Sequence, residues 1–332
     1  MKLCITGGVG HLGTNIVQEA KERGHKVVII DNIARPQVNR NWNWVHRTYP
    51  EVKLYRLGIW NKWGIFNLLK MFKPEVIIHL AGQVGVPSAV KDPEFDFKTN
   101  AVGTFNMCEI ARKLNCGLIY SSTCKVYGDL LNSVPVQEVD GHYDYKGPLY
   151  KKGIPEDFPF HAKEHGIYGT SKLVGDLYVT DYNKIYGINT VVNRMSCLYG
   201  KWQYGSTSQG WLNHFLWSKA KNKPITIDGD GKQFRDMLYG TDCAKCYMDQ
   251  TEMIEDIAGE VFNLGGGWDN SLSVLEGAKM SKAHYEFGTE RISDQKVIYM
   301  DTTRLRKLIG WRPKVDLKRG VKLMRDWIYE QS

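Results

Sequence analysis

No stretch of this chain approaches the roughly 18 consecutive apolar residues that a bilayer-spanning helix needs, so no transmembrane helix is expected. The N-terminus, from Met1 to Gly8, lacks the longer apolar core of a secretory signal and reads as a short strand entering a glycine turn. Cysteine is scarce. Seven are spread irregularly over 332 residues, an odd number that argues against a disulfide framework and for reduced thiols in the cytoplasm. The one C-x-x-C, Cys243 to Cys246, has no second pair to complete a zinc site and follows no thioredoxin-like strand, so two ordinary helix cysteines and no metal are expected. Dense Lys/Arg blocks are also missing. The net charge of +8 is scattered, which gives no footprint for nucleic acid and suits a small anionic ligand equally well. There is no internal repeat and no low-complexity segment. With 42% hydrophobic and 24% charged residues the composition is that of an ordinary globular protein.

What is present is an alternation. Strand-like runs at Leu3 to Thr6, Lys26 to Ile30, Val52 to Arg56, Val76 to Leu80 and Gly117 to Tyr120 are separated by helix-length stretches. Those stretches lie near Leu12 to Arg23, Trp63 to Phe72 and Thr99 to Leu114. Repeated βαβ units predict an α/β fold with a doubly wound parallel sheet, which binds ligands beyond the carboxyl ends of its strands. From Gly128 to Tyr168 the pattern fails amid prolines and glycines, as a functional lid or binding loop would. It resumes with a helix from Gly169 to Tyr186 and strands at Thr190 to Arg194 and Val261 to Leu264.

Four features fall where such a fold places chemistry. Gly7, Gly10 and Gly13 follow the first strand, a spacing suited to a tight turn, close approach to a pyrophosphate and a helix N-terminus aimed at its charge. Asp31 ends the second strand, where a carboxylate can accept hydrogen bonds from both ribose hydroxyls and would repel a 2′-phosphate, favouring NAD over NADP. Arg35 stands close enough to bear on that preference. Tyr168 and Lys172 form Y-x-x-x-K near the start of a helix and share a face. A nearby ammonium favours the phenolate, which can then take a proton from an alcohol. The run SSTCKVYG, Ser121 to Gly128, puts hydroxyls at the end of the fifth strand. Strand-end hydroxyls are commonly turn residues, but one of these could hydrogen-bond the reacting alcohol.

Together the motifs resemble the extended short-chain dehydrogenase/reductase family of nucleotide-sugar enzymes. Further matches are IIHLAGQ (Ile77 to Gln83), NAVGT (Asn100 to Thr104), RMSCLYG (Arg194 to Gly200), DGDGKQFRDMLYGTD (Asp228 to Asp242), FNLGGG (Phe262 to Gly267) and IGWRPKVDLKRGV (Ile309 to Val321). Within that family the chain resembles the CDP-tyvelose (CDP-paratose) 2-epimerase group. The shared pieces are HLAGQV, SST-x-KVYGDL, YG-x-SK, YGINTVVNR (Tyr186 to Arg194), QGW (Gln209 to Trp211) and SDQ (Ser293 to Gln295). Cys124 and Lys296 depart from that group and bear on the sugar or the nucleotide. Cys124 and Lys125 also stand where family dehydratases carry Asp-Glu, which argues against 4,6-dehydration. Gly58 replaces the Asp of the family's GDI and should remove a contact to adenine.

The resemblance implies a Rossmann NAD-binding domain over 1–195 plus 236–265 and a smaller α/β nucleotide-sugar-binding domain over 196–235 plus 266–332. It makes Thr123, Tyr168 and Lys172 catalytic. Along NAD it places His11, Leu12, Asn32, Ile59, Leu80, Ala81, Gln83, Asn100, Ser121 and Met195, besides the three glycines, Asp31, Tyr168 and Lys172. Facing the nucleotide sugar it places Gln83, Thr123, Cys124, Ser196, Gln209, Trp211, Arg235 (on the diphosphate) and Asp294. The implied reaction is C2 epimerisation of a CDP-deoxyhexose through a 2-keto sugar. Alternatives are a 4-epimerase or reductase of another nucleotide sugar, and a non-catalytic NAD-responsive or RNA-binding relative. A homodimer formed through two helices, Val102 to Leu114 and Leu173 to Tyr186, is the expected assembly, with no nucleic-acid or membrane partner.

Overall fold

A strand that is apolar at nearly every position must be covered on both faces. Strand β1 (Lys2–Thr6) is of that kind, with Leu3, Cys4 and Ile5 fully buried. The computed structural model describes residues 1–207, 209–290 and 294–331, which fall into two units. The first comprises Met1–Thr123, Gly166–Arg194 and Cys243–Phe262, the second Cys124–His165, Met195–Asp242 and Asn263–Ser332.

After β1 come α1 (His11–Glu22), β2 (Lys26–Asp31), α2 (Val38–Thr48), β3 (Lys53–Arg56), α3 (Lys62–Phe72) and β4 (Val76–His79). Short helices α4 (Val86–Lys91) and α5 (Pro93–Phe97) lead through a π-helical turn (Lys98–Val102) into α6 (Gly103–Leu114) and β5 (Gly117–Thr123). The chain then enters the second unit for β6 (Val136–Val139) and β7 (His142–Tyr145), and returns at α7 (Gly166–Tyr186) and β8 (Thr190–Met195). A second excursion holds β9 (Cys197–Tyr199), α8 (Trp211–Ala220), β10 (Ile225–Asp228) and β11 (Phe234–Tyr239). It ends along α9 (Gly240–Glu252), and β12 (Val261–Leu264) follows. The remaining elements are β13 (Ser271–Ser273), α10 (Val274–Ser281), β14 (Tyr285–Gly288), β15 (Val297–Ile298), α11 (Thr303–Ile309) and α12 (Leu317–Glu330).

The first unit is built on a seven-stranded sheet of order β3-β2-β1-β4-β5-β8-β12, as the alternation predicts. Neighbours from β3 through β5 run parallel. The order reverses between β1 and β4, the switch point where such sheets leave a crevice. Thr6 lies opposite Ile30 and His79, and His79 opposite Tyr120. Gly7, Asp31, Leu80 and Ser121 therefore line up along one carboxyl edge. Helices α6 and α7 cover the sheet with Met107, Ile110 and Val179, which join Cys4, Ile77, Leu118 and Tyr120 in one core.

Three local features depart from the sequence reading. The stretch between β2 and β3, where the sequence predicts no helix, is helix α2, whose buried face is Val38, Asn41 and Val45. An asparagine interrupts that stripe, and its Nδ2 donates to the Val9 carbonyl at 3.0 Å. Ser121, Ser122 and Thr123 are strand residues, all buried, not a turn. Residues 124–165, expected with the NAD-binding domain as an irregular lid, pack with the second unit and contain the antiparallel hairpin β6–β7. There His142 stacks on Phe234 at 4.1 Å, Tyr143 N donates to the Lys232 carbonyl at 3.0 Å and Tyr145 Oη to that of Val297 at 3.0 Å. Cys243 and Cys246 are both buried on α9.

In the second unit β11 pairs with β13, β15 and β9. Tyr199, Leu216, Trp217, Tyr239, Met324 and Trp327 are in its core. The C-terminal signature is a packing device. Asp242 accepts bonds from the backbone of Lys314 and Val315 at 2.7 Å each, and its carbonyl from the Trp311 indole at 3.1 Å. Any side chain at Gly320 would overlap the Tyr199 hydroxyl.

Candidate active site

The glycine turn is forced by geometry. Gly7 sits at φ +71°, and a Cβ there would lie 2.8 Å from the Ala81 nitrogen. A Cβ on Gly13 would collide with the Gly7 carbonyl. Helix α1 starts at Gly10 with no side-chain cap, leaving the first-turn amides of His11, Leu12 and Gly13 as an anion site. Asp31 is aimed over this turn: its carboxylate accepts from Val9 N at 3.4 Å and Ile33 N at 2.8 Å. Burial raises its pKa, and those two amides oppose the rise. Asn32 turns back on Ala34 N at 3.1 Å. Arg35, exposed, donates to the Gly82 carbonyl at 3.1 Å. This cradle fits a dinucleotide: close-approach glycines, an uncapped helix start and a ribose-directed carboxylate.

Gly58 is explained by its neighbour. An atom added there would overlap the Trp60 indole, so the family's Asp has no room. Gly58→Asp is expected to destabilise the protein by about 1–3 kcal/mol through overpacking, read as a lower urea midpoint. Calorimetry should find NAD binding no tighter. Ile59, 3% exposed, packs where a Gly103 side chain would stand.

Beyond β4, Leu80 to Gln83 are held by Asn100. Its Oδ1 accepts from Gln83 N at 2.9 Å, and its Nδ2 donates to the Gln83 carbonyl at 3.0 Å, to Asp96 Oδ1 at 3.1 Å and to Ser171 Oγ at 3.1 Å. Asn100 lies on the π turn, whose widened backbone often marks functional positions.

The acid–base group is built on β5 and α7. Tyr168, 8% exposed, and Lys172 lie one turn apart on α7. Lys172 Nζ donates to the Ser121 carbonyl at 2.5 Å and stands 4.3 Å from the centroid of the Tyr120 ring. Ser121 is two residues before Thr123, so one strand end presents both the lysine's acceptor and the hydroxyl. Burial pulls the Lys172 pKa down to about 7, against the carboxylates of Asp176 and Asp96, which raise it. The sequence reading missed Asp176. It is buried, accepts from Ser122 Oγ at 2.7 Å, and forms a two-pronged pair with Arg194, Nε at 3.0 Å and Nη2 at 2.9 Å. Its position four residues after Lys172 was the available signal. Met195 ends β8, directly after Arg194.

The residues expected to face a sugar nucleotide, other than Gln83 and Thr123, lie on the second unit. Arg235, 7% exposed, spends its guanidinium on the protein. Nη1 donates to the carbonyls of Phe234 at 2.9 Å and Lys296 at 3.3 Å, and Nη2 to Asp294 Oδ1 at 3.0 Å and the Gln295 carbonyl. Asp294 is its acidic partner. Lys125 Nζ donates to Gln295 Oε1, and burial lowers the lysine's pKa. Ser196 bonds the Asp236 carboxyl, which burial pushes up to about 6. Cys124 is buried, Gln209 exchanges backbone bonds with Ser206, and the Trp211 ring packs on Phe215 at 5.4 Å. Ser293 of the SDQ run lies outside the described residues. A cavity of about 580 Å³ on this unit is lined by Asn132, Val134, Glu290, Asp294, Lys296 and Val297. It holds none of the acid–base group.

A family model, the NAD dependent epimerase/dehydratase family, matches residues 3–265. The chain belongs to this family. It is 36% identical to CDP-paratose 2-epimerase of Salmonella typhi, over 98% of this chain and 99% of that protein. Two solved structures superpose along their whole length. UDP-glucose 4-epimerase of Thermotoga maritima with UDP-glucose has a TM-score of 0.85 at 26% identity, covering 100% of this chain and 99% of that one. UDP-glucuronic acid 4-epimerase of Bacillus cereus with UDP-glucuronic acid and NAD scores 0.83 at 25% identity, covering 100% of both. The protein is thus an NAD-dependent epimerase of the extended short-chain dehydrogenase/reductase type. No helix among the described residues is long and apolar enough to cross a membrane.

Proposed function

We propose that the protein epimerises C2 of a CDP-activated deoxyhexose, of the CDP-paratose/CDP-tyvelose kind, through a transient 2-keto sugar. The observation carrying the chemistry is the buried Lys172 ammonium. It bonds the end of the strand that supplies Thr123 and lies one turn from Tyr168. Full-length similarity to a CDP-paratose 2-epimerase supports the substrate class.

NAD, when bound in the glycine cradle, supplies the acceptor and donor of hydride. Tyr168 takes the C2 hydroxyl proton and later returns one to the ketone oxygen. Because an ordinary tyrosine titrates near 10, the Lys172 charge is needed to favour the phenolate. Thr123 hydrogen-bonds the same oxygen and holds it against the phenol. Arg235 is assigned to the diphosphate, which competes with Asp294 for Nη2. Anchoring that end lets the sugar present its other face, so that hydride returns with inversion.

In heavy water the C2 hydrogen travels only between sugar and cofactor. Carbon-bound deuterium at C2 of the product should therefore be absent by NMR, and its incorporation would contradict the proposal. Conversion of UDP-glucose in place of CDP-sugars would favour the 4-epimerase reading, which the likeness to the Thermotoga maritima enzyme keeps in play. We further assign a homodimer formed through the α6 and α7 faces; Leu177, Tyr178, Ile185 and Tyr186 of α7 are exposed, as is Val102 on the π-helical turn leading into α6. A reducing, cytoplasmic setting suits seven free thiols, six of them buried.

A further inference from the structure

A buried ammonium survives only where opposite charge or strong acceptors offset its desolvation. Around Lys172 stand the Ser121 carbonyl and Tyr120 ring on β5, His79 on β4, Asp176 on its own helix and Asp96 on α5, while Tyr168, one turn away, also feels the charge of Arg35. Of the two carboxylates, Asp176 is the larger support of the ammonium but is shared with Arg194 through the two-pronged pair. Asp96 differs. It is fully buried and, among the described residues, has no ion-pair partner. Its Oδ1 accepts from Asn100, Ser171 next to Lys172 also bonds its carboxylate, and Oδ2 is buried without a hydrogen bond. Burial raises its pKa, opposed by the Ser171 bond and the Lys172 charge, so this carboxylate is costly for the fold. That cost is typical of groups kept to tune a neighbour's charge.

We propose that Asp96 is a positioning residue that acts through Lys172, as a second counter-charge that, beside Asp176, keeps this lysine an ammonium at working pH. The inference rests on the reading of Tyr168 and Lys172 as the acid–base pair. Burial already pulls the Lys172 pKa down to about 7, so losing one carboxylate lowers it further and withdraws support from the phenolate. Asp96→Asn keeps the size and the acceptor for Asn100 while deleting the charge.

The test is ¹³C NMR of ε-labelled lysine in protein saturated with NAD, the Lys172 signal being assigned by its loss in Lys172→Met. In Asp96→Asn the midpoint should fall by about one pH unit, the shift expected from removing one nearby opposite charge. The alkaline limb of kcat should move with it. A midpoint equal to that of the wild type overturns the proposal, even if the variant is less stable. Asp96→Ser must give the same fall, which covers failure of the first variant to fold. The lysine titration needs no turnover. Unaltered turnover by Tyr168→Phe would sink the acid–base reading, while the titration still decides the part played by Asp96.

Discussion

Tyr168→Phe is expected to fold, to take up NAD and to lose kcat by about 10²–10⁴-fold, the usual worth of a positioned acid–base group. The substitution removes one oxygen from a side chain that is already 8% exposed, so packing is kept. The cradle of Gly7, Gly10, Gly13 and Asp31 is untouched, so calorimetry should return an NAD affinity that changes far less than kcat. Retained affinity with lost turnover separates chemistry from cofactor binding. If turnover persisted, the proton would have to leave through another group, and the Thr123 hydroxyl would be next to test.

The second large effect is on stability. Arg194→Met should cost about 3–5 kcal/mol, because it strands the Asp176 carboxylate in the interior. Arg194 and Asp176 side chains are 5% and 1% exposed, so solvent screens the pair very little. Ser122 Oγ would still donate to that carboxylate. The measurement is the urea midpoint at constant slope. Adding Asp176→Leu to Arg194→Met should recover much of the loss, since two apolar groups leave no unpaired charge. A double variant as unstable as the single one would mean that the pair is not what holds β5, α7 and β8 together there.

The sheet was legible because its strands are buried on both faces and read as unbroken apolar runs between helix-length stretches. The glycine turn, Asp31 and Tyr168-Lys172 were legible because each needs a residue type that few alternatives satisfy. Helix α2 was not, since Asn41 and two tryptophans break its apolar stripe. The β6–β7 hairpin was hidden because its residues are stabilised by Phe234 and Val297, far along the chain, and not by local pattern. Asp96 and Arg194 were hidden for another reason, and Asp176 was marked only by its place four residues after Lys172. A charged residue in a helix or at a strand end reads as solvent-facing, and only tertiary burial marks it as part of a site. The Gly58 departure became intelligible once Trp60 was seen to occupy the same space.

The depressed basicity of Lys172 also couples folding to proton release. Unfolded, the amine holds its proton up to about pH 10.5, whereas folded it gives it up near 7. Between those values the unfolded chain binds more protons, so this group's contribution to stability improves as pH rises through the window and is at its worst below 7. The protonated form that assists Tyr168 is therefore the form the fold tolerates least. Refolding heats measured between 7 and 10 should depend on the ionisation enthalpy of the buffer, and alkaline conditions that toughen the protein should also quieten it.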